Sequence, residues 1–255
     1  MTTFILKVFR GMPGKQYWEE FQFKRRFGAN VISALMEIQK NPINRLGEAT
    51  TPVAWESNCL EEVCGSCSML INGRPRQACT ALIEPIIEKT GSEIITVAPF
   101  TKFPLVRDLV VDRTVMFENL KKVQAWVEVD SYHEEGYGPL ISPEKQEVMY
   151  SLATCMTCGC CSEACPQVND HSPFMGPAPI GQVRLFSIHP TARVKHAERI
   201  QVMQTDAGVG SCGNAQNCVK VCPKNVPLTD AIASVGRDTT LQAIHDLFGL
   251  PERNP

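Results

Sequence analysis

Twelve cysteines stand in this 255-residue chain, and eleven of them fall into runs whose spacing suits metal ligation. Cys59, Cys64 and Cys67 follow a Cys-x4-Cys-x2-Cys pattern, and Cys79 follows after a further eleven residues. Thiolates so spaced suit a 2Fe–2S core: the long step carries the chain around one iron to the other, and the short step lets neighbouring sulfurs reach the same core. Gly65 and Ser66 are small and leave backbone amides free to point at sulfur, which tunes the potential. The fourth thiolate arrives from a later strand, beyond a Gly73-Arg74-Pro75 turn. A structural zinc site could use four thiolates in this arrangement, but such sites usually pair two short Cys-x2-Cys knuckles, and one such step occurs here.

Two further runs lie in the second half. CMTCGCCSEACP places Cys155, Cys158, Cys161 and Cys165 at Cys-x2-Cys-x2-Cys-x3-Cys-Pro, the bacterial ferredoxin run. Three thiolates at steps of three can each take one iron on a face of a cubane, which a single zinc would not require. The fourth cysteine of such a run ligates the other cluster of a pair, so a second run is needed. It exists in CGNAQNCVKVCP, with Cys212, Cys218 and Cys222. There Ala215 stands where a middle cysteine would be. Exchange of ligands between the runs gives Cys155, Cys158, Cys161 and Cys222 to a 4Fe–4S cluster. It leaves Cys165, Cys212 and Cys218 for a core that lacks a thiolate at one corner, which points to 3Fe–4S. Cys160 is left over and reads as a small packed thiol.

Ligands need elements to hold them. Residues 4–10 and 17–27 have the aromatic and branched content of strands, split by a Gly-Met-Pro-Gly turn. Asn30 can cap a helix over VISALMEIQK, with apolar residues 31, 32, 35, 36 and 38 on one face and Asn41-Pro42 at its end. A second strand pair is expected at 68–73 and 93–99. Beyond Pro104 the pattern turns helical: 106–126, with Leu109, Met116, Leu120 and Val123 apolar, then a connecting loop over 127–142. Ser142-Pro143 reads as a helix start. Further helices are expected over 178–188, 192–204 and 228–236, with a last one near 240–248. The chain therefore divides into a small α+β part, residues 1–105, and a helical part, residues 106–255.

Composition excludes several classes. The chain is 44% hydrophobic and 20% charged, near globular averages, so disorder and collagen-like repeats are excluded. With 25 basic and 27 acidic residues it lacks the positive excess of a nucleic-acid binder, so no nucleic-acid partner is expected. The cysteines are too sparse for a secreted disulfide scaffold. No secretory leader is read in MTTFILKVFRGMPGKQ, and apolar stretches such as IITVAPF fall far short of the roughly 20 residues that span a bilayer. None of the five histidines, His133, His171, His189, His196 and His245, pairs with another at ligand spacing. His171 lies in the loop that follows the first run. Lys24-Arg25-Arg26 reads as an exposed strand end, and secondly as a partner contact.

The order of the three cysteine clusters, the segments CGSCSMLINGRP, LVRDLVVDR, CGCCSEACP and NCVKVCPK, and the alanine at the missing corner resemble the iron–sulfur subunit of succinate dehydrogenase and fumarate reductase. WESNCLEEVCGSC and CMTCGCCSEACPQVN look closest to its Bacillus-type branch, which uses low-potential quinones. The resemblance implies an N-terminal β-grasp plant-type ferredoxin domain followed by an all-α bacterial ferredoxin-like domain. It implies an FAD-binding flavoprotein subunit and membrane-anchor subunits of the cytochrome b type as partners. It also implies a peripheral place on the cytoplasmic face of the bacterial inner membrane, in a chain with no substrate-oxidising site of its own. Electrons from succinate would pass the 2Fe–2S, 4Fe–4S and 3Fe–4S clusters to quinone, in the tricarboxylic acid cycle and respiratory chain. Ubiquinone-reducing members carry a proline after the fourth cysteine of the first run, a tryptophan shortly after it, and a histidine after the first cysteine of the second. Pro166 matches and marks the quinone vicinity; QVNDHSPF holds no tryptophan, and Gly213 replaces the histidine, which favours menaquinone. The rival readings are the iron–sulfur subunit of another flavoprotein dehydrogenase and, more distantly, a zinc-stabilised interaction module.

Overall fold

A computed structural model describes residues 2–127 and 139–249. The chain forms two compact units. One comprises Met1–Arg113 with Met156–Ala164, and the other comprises Thr114–Cys155 with Cys165–Pro255.

The first unit is built on a five-stranded mixed sheet. Strands β1 (Thr3–Met12) and β2 (Lys15–Lys24) form an antiparallel hairpin across the expected turn. The alternation in FILKVFRG puts Phe4, Leu6 and Val8 inward, as a half-buried strand requires. Strands β3 (Ser68–Ile71), β4 (Arg74–Gln77) and β5 (Ile94–Ala98) complete the order β2-β1-β5-β3-β4. β5 lies parallel to β1, Ile5 facing Ile94 and Val8 facing Val97, and antiparallel to β3. Helix α1 (Val31–Lys40) buries Val31, Ile32, Ala34, Leu35 and Ile38 in the same core. Asn30 and Ser33 form the reciprocal capping pair that starts it. Met36, expected inside, is exposed.

Three elements of this unit differ from the sequence expectation. The turn after β3 is an Asn72-Gly73 hairpin, both residues at positive φ, that leads into β4. Helix α2 (Ile83–Thr90) occupies a stretch for which no element was expected, and it has no side-chain cap to announce it. The helix expected from residue 106 starts only at Thr114. Leu105–Arg107 (β6) and Val110–Val111 (β7) form a small antiparallel pair, which brings Asp108 back to Arg10. Leu109, counted on the helical face, is buried in the sheet core instead. Arg10 and Asp108 are both 2% exposed. Arg10 also binds Glu19 and the Thr51 carbonyl, while Asp108 accepts from the Gly11 and Ala54 amides. This buried ion pair fixes residues 51–54, the approach to the first cysteine.

The second unit is helical: α3 (Thr114–Lys122), α4 (Pro143–Ala153), α6 (Pro177–Ile188), α7 (His196–Met203), α8 (Asn217–Val221) and α9 (Leu228–Leu247). The short α5 (Cys160–Ala164) belongs to the first unit. Ser142 caps α4 with Pro143 behind it, as expected. The 192–204 helix divides into a 3-10 turn, Ala192–Lys195, and α7. The two helices expected after 228 are one: α9 runs through Gly236, whose carbonyl accepts the Thr239 and Thr240 hydroxyls. Phe174, Met175, Ile180, Val183, Ile200, Met203 and Val235 form the core around Cys165. Arg199, fully buried, ties α7 to four backbone carbonyls, those of Gln124, Trp126, Phe186 and Ala192. Most of the connecting loop expected over 127–142, with His133, lies outside the described residues.

Candidate iron–sulfur sites

No cysteine of the chain is in a disulfide. The 59–67 loop curls because Leu60, Glu62 and Gly65 all take positive φ, at 61°, 58° and 75°. Left-handed residues alternating with ordinary ones turn successive N–H groups toward one concave face, an anion-binding arrangement. The glutamate and valine amides use it: Glu61 N and Val63 N both donate to Cys59 Sγ at 3.4 Å, and Cys59 N donates to Cys64 Sγ at 3.5 Å. Leu60 and Glu62 are strained there, at about 1–3 kcal/mol each. Burial works against ionising Cys64, but hydrogen bonds from Cys59 and Ser66 outweigh it, and the thiol falls to about 6. Cys67 and Cys79 lie side by side in the core, where burial pushes the Cys67 thiol up to about 12. The first four cysteines thus sit as two pairs, one at the surface and one beneath it. That donor set, sulfurs with amides aimed at them, fits a 2Fe–2S core.

Met156–Ala164 packs within the same unit. Thr157 and Gly159 repeat the positive φ, at 51° and 85°. α5 is anchored by the buried Glu163 carboxylate, which accepts from Thr101 N at 3.0 Å, Thr101 Oγ1 at 2.7 Å and Lys102 N at 3.1 Å. Gly65 touches this segment directly: a Cβ there would lie 2.9 Å from Cys158 Cα. Arg113 fills the same region, donating to the Gly65 carbonyl at 2.7 Å and the Ser66 carbonyl at 2.9 Å. Cys158 is lowered to about 7, by a hydrogen bond from Cys160 first and the Arg113 charge after it, against burial. Cys160, fully buried, is held protonated by that hydrogen bond and by desolvation.

In the helical unit, burial raises the Cys218 thiol, and neighbouring Cys165 and Cys212 add to the effect, so these three sulfurs share one environment. Asn214 and Gln216 are both left-handed, at 50° and 58°, on either side of Ala215, whose methyl is exposed. Asn225, at 51°, turns Val226 N onto Cys222 Sγ at 3.4 Å. Each cysteine run therefore carries non-glycine residues in a strained conformation. Their types gave no signal in the sequence apart from the asparagines.

Among the described residues, no three His, Cys, Asp or Glu side chains surround one point as a single ion requires. No helix among them is long and apolar enough to cross a membrane. Pro166 is exposed, and its carbonyl accepts Asn169 Nδ2 at 2.9 Å. The next residue, Gln167, lies against Gly213, where a Cβ would come 2.6 Å from Gln167 Nε2. His171 is exposed. Of the basic trio, Arg25 pairs with Glu93 at 3.0 Å and Glu84 at 3.6 Å, and Arg26 with Glu37 at 3.6 Å, so both make contacts within the chain.

Family profiles match two segments: a 2Fe-2S iron-sulfur cluster binding domain over residues 5–118, and a 4Fe-4S dicluster domain over residues 151–226. The succinate dehydrogenase iron-sulfur subunit of Bacillus subtilis (strain 168) is 53% identical over 233 residues, covering 91% of this chain and 90% of the relative. This chain belongs to the iron–sulfur subunits of succinate dehydrogenase and fumarate reductase. The fumarate reductase iron-sulfur subunit of Wolinella succinogenes is 32% identical, covering 91% of this chain and 95% of its own. Among solved structures, a chain of the Mycobacterium smegmatis Sdh1 complex in the apo form matches with TM-score 0.80 at 25% identity, covering 94% of this chain and 96% of that one. The expected α+β architecture, a ferredoxin-type sheet domain followed by a helical dicluster domain, is the one found. The chain is thus an electron-transfer subunit of a membrane-bound oxidoreductase complex, with 2Fe–2S and 4Fe–4S domains.

Proposed function

We propose the following ligand assignment and route. Cys59, Cys64, Cys67 and Cys79 hold the 2Fe–2S cluster; Cys155, Cys158, Cys161 and Cys222 hold the 4Fe–4S cluster; Cys165, Cys212 and Cys218 hold a 3Fe–4S cluster. When bound, the three clusters supply one-electron redox capacity in series between the FAD of a flavoprotein subunit and a quinone. The chain's own residues keep the sulfurs in place, aim amides at them and bury the inner ligands away from water. The chain docks on membrane-anchor subunits as a peripheral component at the cytoplasmic face of the inner membrane. Its lack of a long apolar helix among the described residues is in keeping with that placement.

The observation that carries the 3Fe–4S assignment is Ala215, a methyl where the run rhythm calls for a fourth thiolate, next to three cysteines that share one environment. Menaquinone is the proposed acceptor. A histidine at position 213, used by ubiquinone-reducing relatives, would have to displace Gln167 beside Pro166. The test is metal analysis and electron paramagnetic resonance of the purified complex. About nine irons per chain and an oxidised 3Fe signal are expected from the three core types. Zinc, or ten irons with no 3Fe signal, overturns the assignment. Strong preference for ubiquinone analogues over naphthoquinones overturns the menaquinone clause.

A further inference from the structure

Arg113 is a cation set against the loop that carries Cys64 and Cys67. Its side chain is 15% exposed, and its carboxylate partner Glu56 stands 3.9 Å off with half of its own side chain in water. Nη1 donates to the Gly65 carbonyl at 2.7 Å. Nη2 donates to the Ser66 carbonyl at 2.9 Å and the Ser68 carbonyl at 3.5 Å. The Ser68 hydroxyl takes the other lone pair of the Gly65 carbonyl, at 2.7 Å. The Arg113 Nε is buried and has no acceptor among the described residues. A guanidinium placed only to tie down a loop would do so more cheaply with every donor satisfied, because a buried N–H left unmade costs stability. All of these groups belong to one compact unit.

The direction of these bonds matters. A trans peptide is planar, so its C=O and its N–H point opposite ways. With the Gly65 and Ser66 carbonyls turned onto Arg113, the N–H groups of Ser66 and Cys67 face the other side of the loop. The Ser66 backbone hydrogen-bonds Cys64. A cation at the carbonyl end polarises each peptide and strengthens its N–H as a donor. Four thiolates around a core of about +2 leave an oxidised 2Fe–2S cluster near −2, and one electron takes it to about −3. Stronger donors and a nearby positive charge favour the more negative state, and so raise the potential.

We propose that Arg113 is a positioning residue that raises the 2Fe–2S potential from behind the ligand loop, its charge acting through the Gly65–Ser66 and Ser66–Cys67 peptides on the sulfurs the loop carries. The inference rests on the assignment of Cys64 and Cys67 to the 2Fe–2S cluster under the proposed function. Its test is redox titration of the purified complex, followed by electron paramagnetic resonance, for wild type, Arg113→Met, Arg113→Gln and Arg113→Lys. Arg113→Met keeps an unbranched chain and removes the charge. It lowers the reduced-to-oxidised ratio of the 2Fe–2S cluster by about tenfold at fixed ambient potential, which is about 59 mV for one electron. Arg113→Lys retains the charge and keeps the ratio within about threefold of wild type. A fall smaller than about threefold in Arg113→Met, or a fall in Arg113→Lys as large as in Arg113→Met, overturns the proposal. If Arg113→Met does not hold its 2Fe–2S cluster, Arg113→Gln, neutral but still a donor to a carbonyl, is read in its place under the same limits. Loss of that cluster from both neutral variants overturns the proposal, because Arg113 is then a structural residue. Failure of the ligand assignment shows separately, as the wrong iron content or missing cluster signals in the wild-type complex.

Discussion

Gly65 offers a sharp test of how the first two cysteine runs fit together. Its φ is +75°, and an alanine Cβ would lie 2.9 Å from both Cα and Cβ of Cys158 and 3.1 Å from the Met156 carbonyl. Gly73, in the β3–β4 turn, has nearly the same φ, +72°, with nothing within 4 Å of its virtual Cβ. Alanine at either position carries the left-handed penalty of about 1–2 kcal/mol. Only at 65 does it meet backbone and a ligand side chain, which adds roughly 1–3 kcal/mol of overpacking. Gly65→Ala should therefore unfold below Gly73→Ala by roughly 2–12 °C, at about 2–4 °C per kcal/mol for a chain of this length. The strain falls on Cys158, proposed above as a 4Fe–4S ligand, so the 4Fe–4S signal should weaken before the 2Fe–2S signal. Differential scanning calorimetry of the cluster-loaded complex, with iron analysis and electron paramagnetic resonance, reads both effects. Equal midpoints and equal iron in the two variants would refute the close approach of the loops.

Three further outcomes are expected. Asp108→Ala takes one of two carboxylates from the buried Arg10 guanidinium, which keeps Glu19, and leaves two amides without their acceptor, so stability should fall by roughly 2–5 kcal/mol, read by thermal melting. Ala215→Cys supplies a thiolate at the open corner of the proposed 3Fe–4S cluster; the 3Fe signal should disappear and iron should rise from about nine to about ten per chain. In the cluster-free chain Cys64 falls to about 6, below the ~8.5 of a free thiol. Between those values the unfolded chain holds the extra proton, so stability rises with pH across that window and is lost as pH falls through about 6. Urea midpoints at pH 5.5, 7 and 8 should rise in that order, and more steeply than in Cys64→Ser. Iodoacetamide at pH 7 should label Cys64 well before Cys67, which is pushed up to about 12.

The cysteine runs and the two cluster-binding domains were legible because spacing is a covalent constraint: thiols a few residues apart stay neighbours whatever the rest of the chain does. The caps at Asn30 and Ser142 were legible for a similar reason, since the side chain that starts each helix sits beside it in sequence. What tertiary packing decides was not. β4 reads RPRQ, with a proline and two charges, and becomes a strand because β3 offers it an edge. Two helices, 228–236 and near 240–248, were expected, yet α9 runs unbroken through Gly236 where α6 and α7 pack alongside. Arg113 and Glu163 reach partners dozens of residues away, Gly65 and Thr101, and nothing in their neighbours' types marks them. The left-handed Leu60 and Glu62 were invisible for the opposite reason, because those residue types ordinarily avoid that conformation.

The parallel pairing of β1 with β5 sets a schedule for biosynthesis. The N-terminal strand cannot acquire its inner neighbour until Ile94–Ala98 has left the ribosome, so Cys59 to Cys79 are all made before the fold that shelters them closes. Roughly 40 residues separate the first thiol from the closing strand, or about 2–8 s at 5–20 residues per second. Throughout that interval the nascent sulfurs are open to oxidants and stray metal, which ties productive maturation to a reducing environment and to iron delivery keeping pace with translation.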